Sequence, residues 1–475
     1  MKMFERFGTW SGVCFTVFVF VLGGCQDSLP PAGDTPGEAG SAPSVIQPGL
    51  DVPIDAPRGN EWAEREIRQF TDESNQFNSK FPQIARGLAG STYMVWQRCQ
   101  LGDECEKSSV MAARHNGTSW GDAVEVSPIG EGSAHATDPK LAVDSLGTAH
   151  IIWRDSGTIG SRPIDDDIIY RTWDGEGVQG LGASQTVSVG AVLGCDEASE
   201  CPKIYEPSIA MVRDSPGVVF AASGTVRRFE VFYSTLTSGA WSATQVSDGS
   251  YDSPSYGTVG ARSPDLSSDL IGNTYIVWVN RVQGGVGQLR YRTLGDSLGE
   301  VRTINTLCGV SNVQSPRVEV DESGRAHLVW AGERVCGDAS SGTSIYYTYM
   351  NGDGVVGTPV DLTVGQLAAG THSFHPELAL ATRGGESVVS VTWSSPLRGE
   401  DGSIDFSILL ARFSDASEVG SASVISVPDG EGFASIGVST FPSVVSGNAG
   451  LMACWQEKDS NVGSDFDVTC TGIRW

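Results

Sequence analysis

The sequence predicts an all-β fold made of seven copies of one unit, and three observations support this prediction. Each copy opens at a proline that begins a stretch of alternating apolar and polar residues: Pro82, Pro139, Pro207, Pro264, Pro316, Pro376 and Pro442. Each then continues to a second stretch that ends on a large aromatic residue: Trp96, Trp153, Phe220, Trp278, Trp330, Trp393 and Trp455. The period of two, with no amphipathic helical period, indicates strands rather than helices.

Within each copy, the first two stretches read as a hairpin. Glycine-containing turns, clearest at residues 144–147 and 321–324, separate them. A Tyr-Arg-Thr-like run, as at residues 168–172 and 289–293, indicates a third strand, and a Trp-plus-Val-Ser-like run at residues 120–127 indicates a fourth. Four short strands per copy and seven copies predict a seven-bladed β-propeller of four-stranded blades.

The two ends of the repeat region predict how the ring closes. The last copy reaches only its third strand, at residues 466–475, whereas residues 61–71 precede Pro82 as residues 120–128 precede Pro139. We therefore expect residues 61–71 to pair with the C-terminal blade and complete it, giving a propeller domain at residues 61–475 without an open edge. A six-bladed ring with one degenerate copy is the alternative, since the third copy has Phe220 in place of tryptophan.

Residues 1–24 have the pattern of a signal peptide. Lys2 and Arg6 precede an apolar run at residues 13–22, which is too short to cross a bilayer core of about 30 Å. The run ends in Leu-Gly-Gly-Cys at residues 22–25, which resembles the lipobox of bacterial lipoproteins. The resemblance implies that the Cys25 thiol receives diacylglycerol and that cleavage follows in front of it. An ordinary secretory signal with an incidental cysteine is the alternative.

The segment that follows the cysteine predicts a tether. Residues 25–60 are rich in Pro, Gly, Ser and Asp and have no sustained apolar period, so we expect a flexible linker. The expected location is the bacterial cell envelope, with the lipid anchor as the link to the membrane. Gln26, in place of the aspartate that marks inner-membrane retention, favours the outer membrane or cell surface.

The charge of the chain limits its partners. It carries 31 Lys and Arg against 57 Asp and Glu, a net charge of −26. Because no basic stripe offsets this charge, nucleic-acid binding is excluded as a function. We expect a monomer that meets an unknown surface ligand, either a carbohydrate or a protein.

The cysteines also indicate export. Apart from Cys14 and Cys25 there are eight, in four local pairs that predict disulfides: Cys99 with Cys105, Cys195 with Cys201, Cys308 with Cys336, and Cys454 with Cys470. Zinc binding is the competing interpretation, but no C-x-x-C spacing occurs.

The repeat also predicts where a binding site could lie. In a propeller, the loops that enter the first strand and leave the second surround the channel on one face. The residues before the prolines are Phe81, Asp138, Glu206, Ser263, Ser315, His375 and Phe441. With them, the candidate rim includes residues that follow the aromatics: Arg98, Arg154, Asp155, Asn280, Arg281, Glu333, Arg334 and Glu457. These positions differ between copies, which is typical of functional positions rather than scaffold.

Several other polar residues fit structural roles better. His150 and His327 recur three residues before a tryptophan and fit packing, and Asp144 and Asp321 recur in turns, where aspartate accepts from local amides. The acidic run at residues 165–167 fits a solvated loop. We expect no cofactor, with Ca²⁺ at such acidic positions as the open alternative.

The rim arginines suggest recognition of a carboxylate, since guanidinium groups bind carboxylates bidentately. The rim acids could instead pair with them in mutual salt bridges. The repeats resemble sialidase-type propellers with Asp-box turns: residues 114–120 keep the Gly and Trp of that box, while Lys80-Phe81-Pro82 stands where Arg-Ile-Pro is expected. The main hypothesis is a non-catalytic propeller that binds a ligand or partner on the channel face. The resemblance implies the alternative, an exo-acting glycosidase of sialidase-like type.

Overall fold

A computed structural model of the chain describes residues 77–87, 90–100, 107–127, 135–155, 158–159, 162–163, 167–188, 204–223, 229–249, 260–281, 287–304, 311–333, 342–364, 372–398, 404–414, 419, 422–426, 438–447, 450–458 and 466–474. The predicted signal peptide, Cys25, the linker and the closing segment 61–71 lie outside the described residues. So do Arg334 and five of the predicted disulfide cysteines: Cys105, Cys195, Cys201, Cys308 and Cys336.

The described strands fall, in chain order, into groups that follow the sequence repeat, and within each group neighbouring strands pair antiparallel. Group 1 contains β1 (Phe77–Arg86), β2 (Thr92–Gln100), β3 (Ser108–His115) and β4 (Val124–Glu125). Group 2 contains β5 (Ala136–Val143), β6 (Ala149–Asp155), β9 (Asp167–Trp173) and β10 (Gln185–Thr186). A small hairpin of β7 (Thr158–Ile159) and β8 (Arg162–Pro163) lies between the second and third strands of group 2 in sequence.

Groups 3 and 4 form one eight-stranded sheet, because a single parallel bridge from Phe229 to Gly260 joins them. Group 3 contains β11 (Ile204–Val212), β12 (Ser215–Ser223), β13 (Phe229–Thr237) and β14 (Ala240–Gln245). Group 4 contains β15 (Gly260–Ser268), β16 (Thr274–Arg281), β17 (Gly287–Leu294) and β18 (Arg302–Thr303). The third copy, which has Phe220 in place of tryptophan, thus forms the same four strands as its neighbours.

The remaining groups complete the order. Group 5 contains β19 (Ser311–Val320), β20 (Ala326–Glu333), β21 (Thr343–Met350) and β22 (Val360–Asp361). Group 6 contains β23 (Phe374–Arg383), β24 (Glu386–Arg398), β25 (Ile404–Phe413) and β26 (Ser423–Val424). Group 7 has three described strands, β27 (Val438–Gly447), β28 (Gly450–Lys458) and β29 (Phe466–Arg474).

The first strands of the groups pack side by side. β1 contacts β5, and the contacts continue through β11, β15, β19 and β23 to β27, which in turn contacts β1. The arrangement is a propeller-like all-β fold, as the repeat predicts. Helix is limited, among the described residues, to one 3₁₀ turn at Val178–Gly180. None of the described residues belongs to a helix that is long and apolar enough to span a membrane.

The hydrophobic core lies between adjacent groups. The aromatic residues expected to end the second strands lie within them instead, and two to five further strand residues follow each one. They have exposed fractions of 3% or less and pack in clusters that join one group to the next: Trp96, Trp153, Phe220, Trp278, Trp330, Trp393 and Trp455. For example, Val277 and Leu289 of group 4 pack in one cluster with Trp330 of group 5. Burial of each large apolar side chain contributes roughly 1.5–3 kcal/mol, so these aromatics are scaffold, as expected.

One disulfide joins the last two strands. Cys454 and Cys470 lie opposite each other on β28 and β29 and are bonded, as the sequence predicted. Cys99 is also disulfide-bonded.

Candidate functional site

Each first strand carries a bulge at its proline. The residue before the proline has a φ between 47° and 53° in every group: Phe81, Asp138, Glu206, Ser263, Ser315, His375 and Phe441. Strand pairing shifts register at the same places. Proline has no N–H to donate to the ladder, and a bulge with one left-handed residue accommodates that loss. The repeated X-Pro pair therefore builds a ring of seven kinked positions.

These seven positions surround one cavity. A space of about 210 Å³ is lined by all seven pre-proline side chains and by residues immediately below them. The sequence predicted that these residues would face one another, and the structure brings them together. We call this space the mouth cavity.

The mouth cavity has three chemically distinct sectors. In the packing order of the groups, groups 6, 7 and 1 supply aromatic rings from His375, Phe441 and Phe81. Groups 2 and 3 supply the carboxylates of Asp138 and Glu206, and groups 4 and 5 supply two serine hydroxyls. The sectors form because the pre-proline residue differs between copies while its backbone position does not.

An arginine cluster lies beside the acidic sector. Arg154 Nε donates to Thr137 Oγ1 at 3.1 Å and lies 3.5 Å from Asp138 Oδ2. Arg262 Nη2 lies 3.5 Å from Glu206 Oε1. The other oxygen of Glu206 accepts from the backbone N–H of Ser263 at 2.6 Å.

Tyr205 lies between the two guanidinium groups. Its ring centroid is 5.2 Å from the Arg154 guanidinium carbon and 5.5 Å from that of Arg262. Arg262 also lies 4.7 Å from the ring centroid of Phe229, which packs edge-on against Tyr205. Cation–π contacts of this kind orient a guanidinium group through its face. Its N–H groups point outward in the guanidinium plane and stay available to bind an anion.

Arg281 adds a third positive charge to this cluster. Burial lowers the pKa of Arg281, and the nearby Arg262 guanidinium lowers it further, while Glu206 acts in the opposite direction. Three guanidinium groups thus face two carboxylates, Asp138 and Glu206. The cluster carries an excess of one positive charge within a strongly acidic protein.

None of the described rim residues that follow the aromatics lines the mouth cavity itself, and Arg154 and Arg281 lie beside its acidic sector. Arg98 pairs with Glu125 at 3.1 Å and covers the ring of Phe77. Asn280 is buried, and Glu457 accepts a hydrogen bond from Trp455 Nε1. Asp155 and Glu333 are the last residues of β6 and β20 and do not line the mouth cavity.

A second ring, which the sequence interpretation missed, lies below the first. It consists of the residues that follow the prolines: Gln83, Lys140, Ser208, Asp265, Arg317, Glu377 and Ser443. Six of them line the mouth cavity, all except Ser443. The period of two along a strand was the available signal, since it places these residues on the same side as the pre-proline residue.

Charges in the second ring compensate one another. Lys140 Nζ donates to Gln83 Oε1 at 2.9 Å, and Arg317 Nε donates to Glu377 Oε1 at 2.9 Å. Asp265 accepts from Ser208 Oγ at 2.6 Å and from the N–H of Val318 at 2.9 Å. Burial would lower the pKa of Arg317, but the carboxylates of Glu377 and Asp265 more than offset it and raise that pKa.

His375 of the pre-proline ring is affected by charges of the second ring. Burial, together with the positive charges of Arg317 and Lys140, lowers the pKa of His375 to about 4. Its imidazole is therefore neutral at neutral pH. Its Nδ1 is buried and has no hydrogen-bond partner among the described residues.

The expected packing roles of His150 and His327 agree with their contacts. In each case Nδ1 lies within hydrogen-bond distance of a tyrosine hydroxyl, at 2.7 Å for Tyr170 and 2.8 Å for Tyr347. Nε2 faces the turn aspartate, Asp144 or Asp321. Within the part of the chain that the structure describes, no group of three or more His, Cys, Asp or Glu is arranged to hold a metal ion.

No family model and no curated protein matches the sequence. Among solved structures, similar chains include a polysaccharide lyase, with a TM-score of 0.49 and 12% identity over 87% of this chain and 99% of that one. Trypanosoma rangeli sialidase in complex with sialic acid gives a TM-score of 0.47 and 10% identity over 86% of this chain and 59% of that one. Penicillium chrysogenum alpha-L-arabinanase complexed with arabinobiose gives 0.44 and 14%, over 75% of this chain and 100% of that one. Similarity at this level says nothing about the substrate or the site residues of this chain.

Proposed function

We propose that the protein is an extracytoplasmic binding protein that recognises a carboxylate-bearing ligand, in the simplest case an acidic sugar, at the mouth cavity. The supporting observation is the arginine cluster of Arg154, Arg262 and Arg281 beside the acidic sector. An arginine fork matches the geometry of a carboxylate and binds it with two parallel hydrogen bonds.

The existing ion pairs leave the arginines able to bind such a ligand. Arg154 and Arg262 each lie 3.5 Å from their acid partners, longer than the 2.7–2.9 Å or so of a strong charged hydrogen bond. The side chains of Asp138 and Glu206 are 38% and 39% exposed, and exposed pairs contribute only about 0–1 kcal/mol. Arg262 Nε is buried and has no partner among the described residues.

A glycan array that contains uronic and sialic acids, each as the free acid and as its methyl ester, tests this proposal. We expect binding of acids in preference to esters, and a loss of about 10–100-fold in Arg154→Ala or Arg262→Ala, because a charged bidentate contact is removed. Arg213→Ala is the matched control, since Arg213 lies in the turn between β11 and β12, where its side chain is 55% exposed. Equal binding of acid and ester would refute carboxylate recognition.

Hydrolysis of a glycosidic bond is the second candidate function. The observation that favours it is that two carboxylates, Asp138 and Glu206, line one cavity, as glycosidase chemistry requires. Each also has a guanidinium group 3.5 Å away, and the three arginines outnumber the two carboxylates, so binding of an anion is the better-supported function. Turnover of fluorogenic sialosides or uronides that is lost in Glu206→Gln and in Arg154→Ala would establish the enzyme instead.

We further propose that this domain is held to the cell envelope through lipid on Cys25, with residues 25–60 as the tether and the outer membrane or cell surface as the location. The lipobox-like sequence at residues 22–25 supports this proposal. Labelling with radioactive palmitate should be lost in Cys25→Ser and kept in Cys14→Ser, which changes a cysteine inside the apolar run. Labelling that survives Cys25→Ser would refute the anchor.

The finer architecture that we propose is a monomeric, closed, seven-bladed propeller. It is supported by the seven strand groups, by the packing of β27 against β1, and by the fact that group 7 has three described strands where the others have four. Residues 61–71 would supply the missing strand.

A further inference from the structure

The aromatic sector of the mouth cavity consists of Phe81, His375 and Phe441 on three neighbouring groups. The ring centroids of Phe81 and Phe441 are 4.7 Å apart in an edge-to-face arrangement, and those of His375 and Phe441 are 3.9 Å apart. All three side chains are partly exposed and line the cavity, so they are accessible to a small ligand.

Scaffold requirements do not explain this sector. The same backbone position, with the same φ, carries Asp, Glu, Ser and Ser in the other four groups, so an aromatic residue is not needed to form the bulge. The aromatic residues of the core instead lie within the second strands and are almost fully buried. Two phenyl rings left facing a water-accessible cavity are typical of a binding surface.

His375 makes the sector suitable for an uncharged partner. Because its pKa is lowered to about 4, it does not repel or attract ions at neutral pH. Its Nδ1 has no hydrogen-bond partner among the described residues, so the ring brings a neutral polar atom to the sector. The sector therefore combines flat apolar faces with one neutral polar atom.

We infer that the aromatic sector is a stacking subsite for the C–H face of the sugar ring whose carboxylate the arginine cluster binds, an inference that rests on the proposed function. The face of an aromatic ring is electronegative and attracts the polarised C–H groups of a sugar. The acidic and serine sectors stand across the same cavity, where they can receive the ring hydroxyls. A cavity of about 210 Å³ is smaller than the roughly 300–1,000 Å³ of pockets for drug-sized ligands and fits a single sugar residue.

The test uses isothermal titration of the purified protein with the methyl glycosides of glucuronic, galacturonic and N-acetylneuraminic acid, each as the acid and as its carboxylate methyl ester. Phe441→Leu keeps an apolar side chain but removes the ring, and Phe441→Trp keeps a ring. We expect Phe441→Leu to weaken the acid and the ester by the same factor, about tenfold. Phe441→Trp should bind like the wild type, and Arg154→Ala should weaken the acid alone.

The outcomes separate the two proposals. If Phe441→Leu and Phe81→Leu bind every probe like the wild type while Arg154→Ala loses the acid, the stacking subsite is refuted and carboxylate recognition stands. If the wild type binds acid and ester equally, carboxylate recognition is refuted. Absence of binding to all six probes refutes both. Melting temperatures of the variants identify any loss that comes from unfolding.

Discussion

Glu319 is a carboxyl group that has no salt-bridge partner among the described residues. It lies on β19 and accepts a hydrogen bond from Ser267 Oγ at 3.1 Å. Burial and the nearby charges of Asp265 and Glu377 raise its pKa from an ordinary 4.5 to about 8, against the opposing effect of Ser267. Glu319 is therefore expected to gain a proton on folding at neutral pH.

This proton predicts a pH dependence of stability. Between pH 4.5 and about 8 the folded state keeps the proton that the unfolded chain has lost, so the free energy of unfolding falls as the pH rises through that window. The slope contributed by one group is at most about 1.4 kcal/mol per pH unit. Glu319→Gln cannot ionise, and urea unfolding between pH 5 and 8 should show a shallower decline. If stability falls with pH equally in the variant and the wild type, the pH dependence comes from other titratable side chains.

At the scale of the strand and its turn, Asp321 and Asp144 offer a matched comparison. Each accepts two backbone N–H bonds within its turn and faces a histidine, but Asp321 also accepts from Ser323 Oγ and from Ser387 Oγ of group 6. Burial would raise the pKa of Asp321, but the hydrogen bonds from His327, Ser323 and Ser387 lower it well below its ordinary value. This turn thus fastens one group to the next.

We expect Asp144→Ala to lower the free energy of unfolding by about 2 kcal/mol, and Asp321→Ala by about 1–2 kcal/mol more, because additional buried hydrogen bonds to a charged group are lost. Denaturant unfolding measures both. Ligand binding should remain unchanged, since both turns lie at the end of the strands opposite the mouth cavity. Equal losses in the two variants would show that the bond to Ser387 contributes nothing.

The strands themselves were predictable from sequence because two local rules fix them. Proline cannot donate to a ladder, and a large aromatic must be buried, so Pro82 and Trp96 locate the two strands of one hairpin and their equivalents locate the others, although the strands extend beyond both residues. The pre-proline ring of the site followed from the same rule. Tyr205 and Arg262 were missed although they occupy equivalent positions, one residue before Glu206 and Ser263. Tyr205 belongs to group 3 and Arg262 to group 4, so their contact joins two groups. A pattern found within one copy of the repeat does not predict which residues of neighbouring copies touch.

At the scale of the whole molecule, hydrogen bonds and apolar contacts hold group 7 against group 1. Ile84 N–H donates to Ser443 Oγ at 3.0 Å, and the N–H of Phe466 donates to Asn78 Oδ1 at 2.8 Å. Met94 and Trp96 of group 1 pack in one cluster with Val468 of group 7. These contacts lie between the faces of the two groups and leave the outer edge of β29 without a described strand partner.

Deletion of residues 61–71 tests whether that segment covers this edge. If it completes group 7, as we propose, its loss exposes the N–H and C=O groups of β29 and uncovers the apolar side chains of that group, and the protein should melt at a lower temperature and aggregate. A deletion of equal length within the tether, residues 30–40, is the control and should leave melting unchanged, because that segment is expected to bury little apolar surface. The disulfide between Cys454 and Cys470 keeps β29 attached to β28 in both variants, so a difference between them reports on the edge and not on loss of the last strand. Identical melting of the two deletions would show that group 7 is stable with three strands and that closure does not depend on residues 61–71.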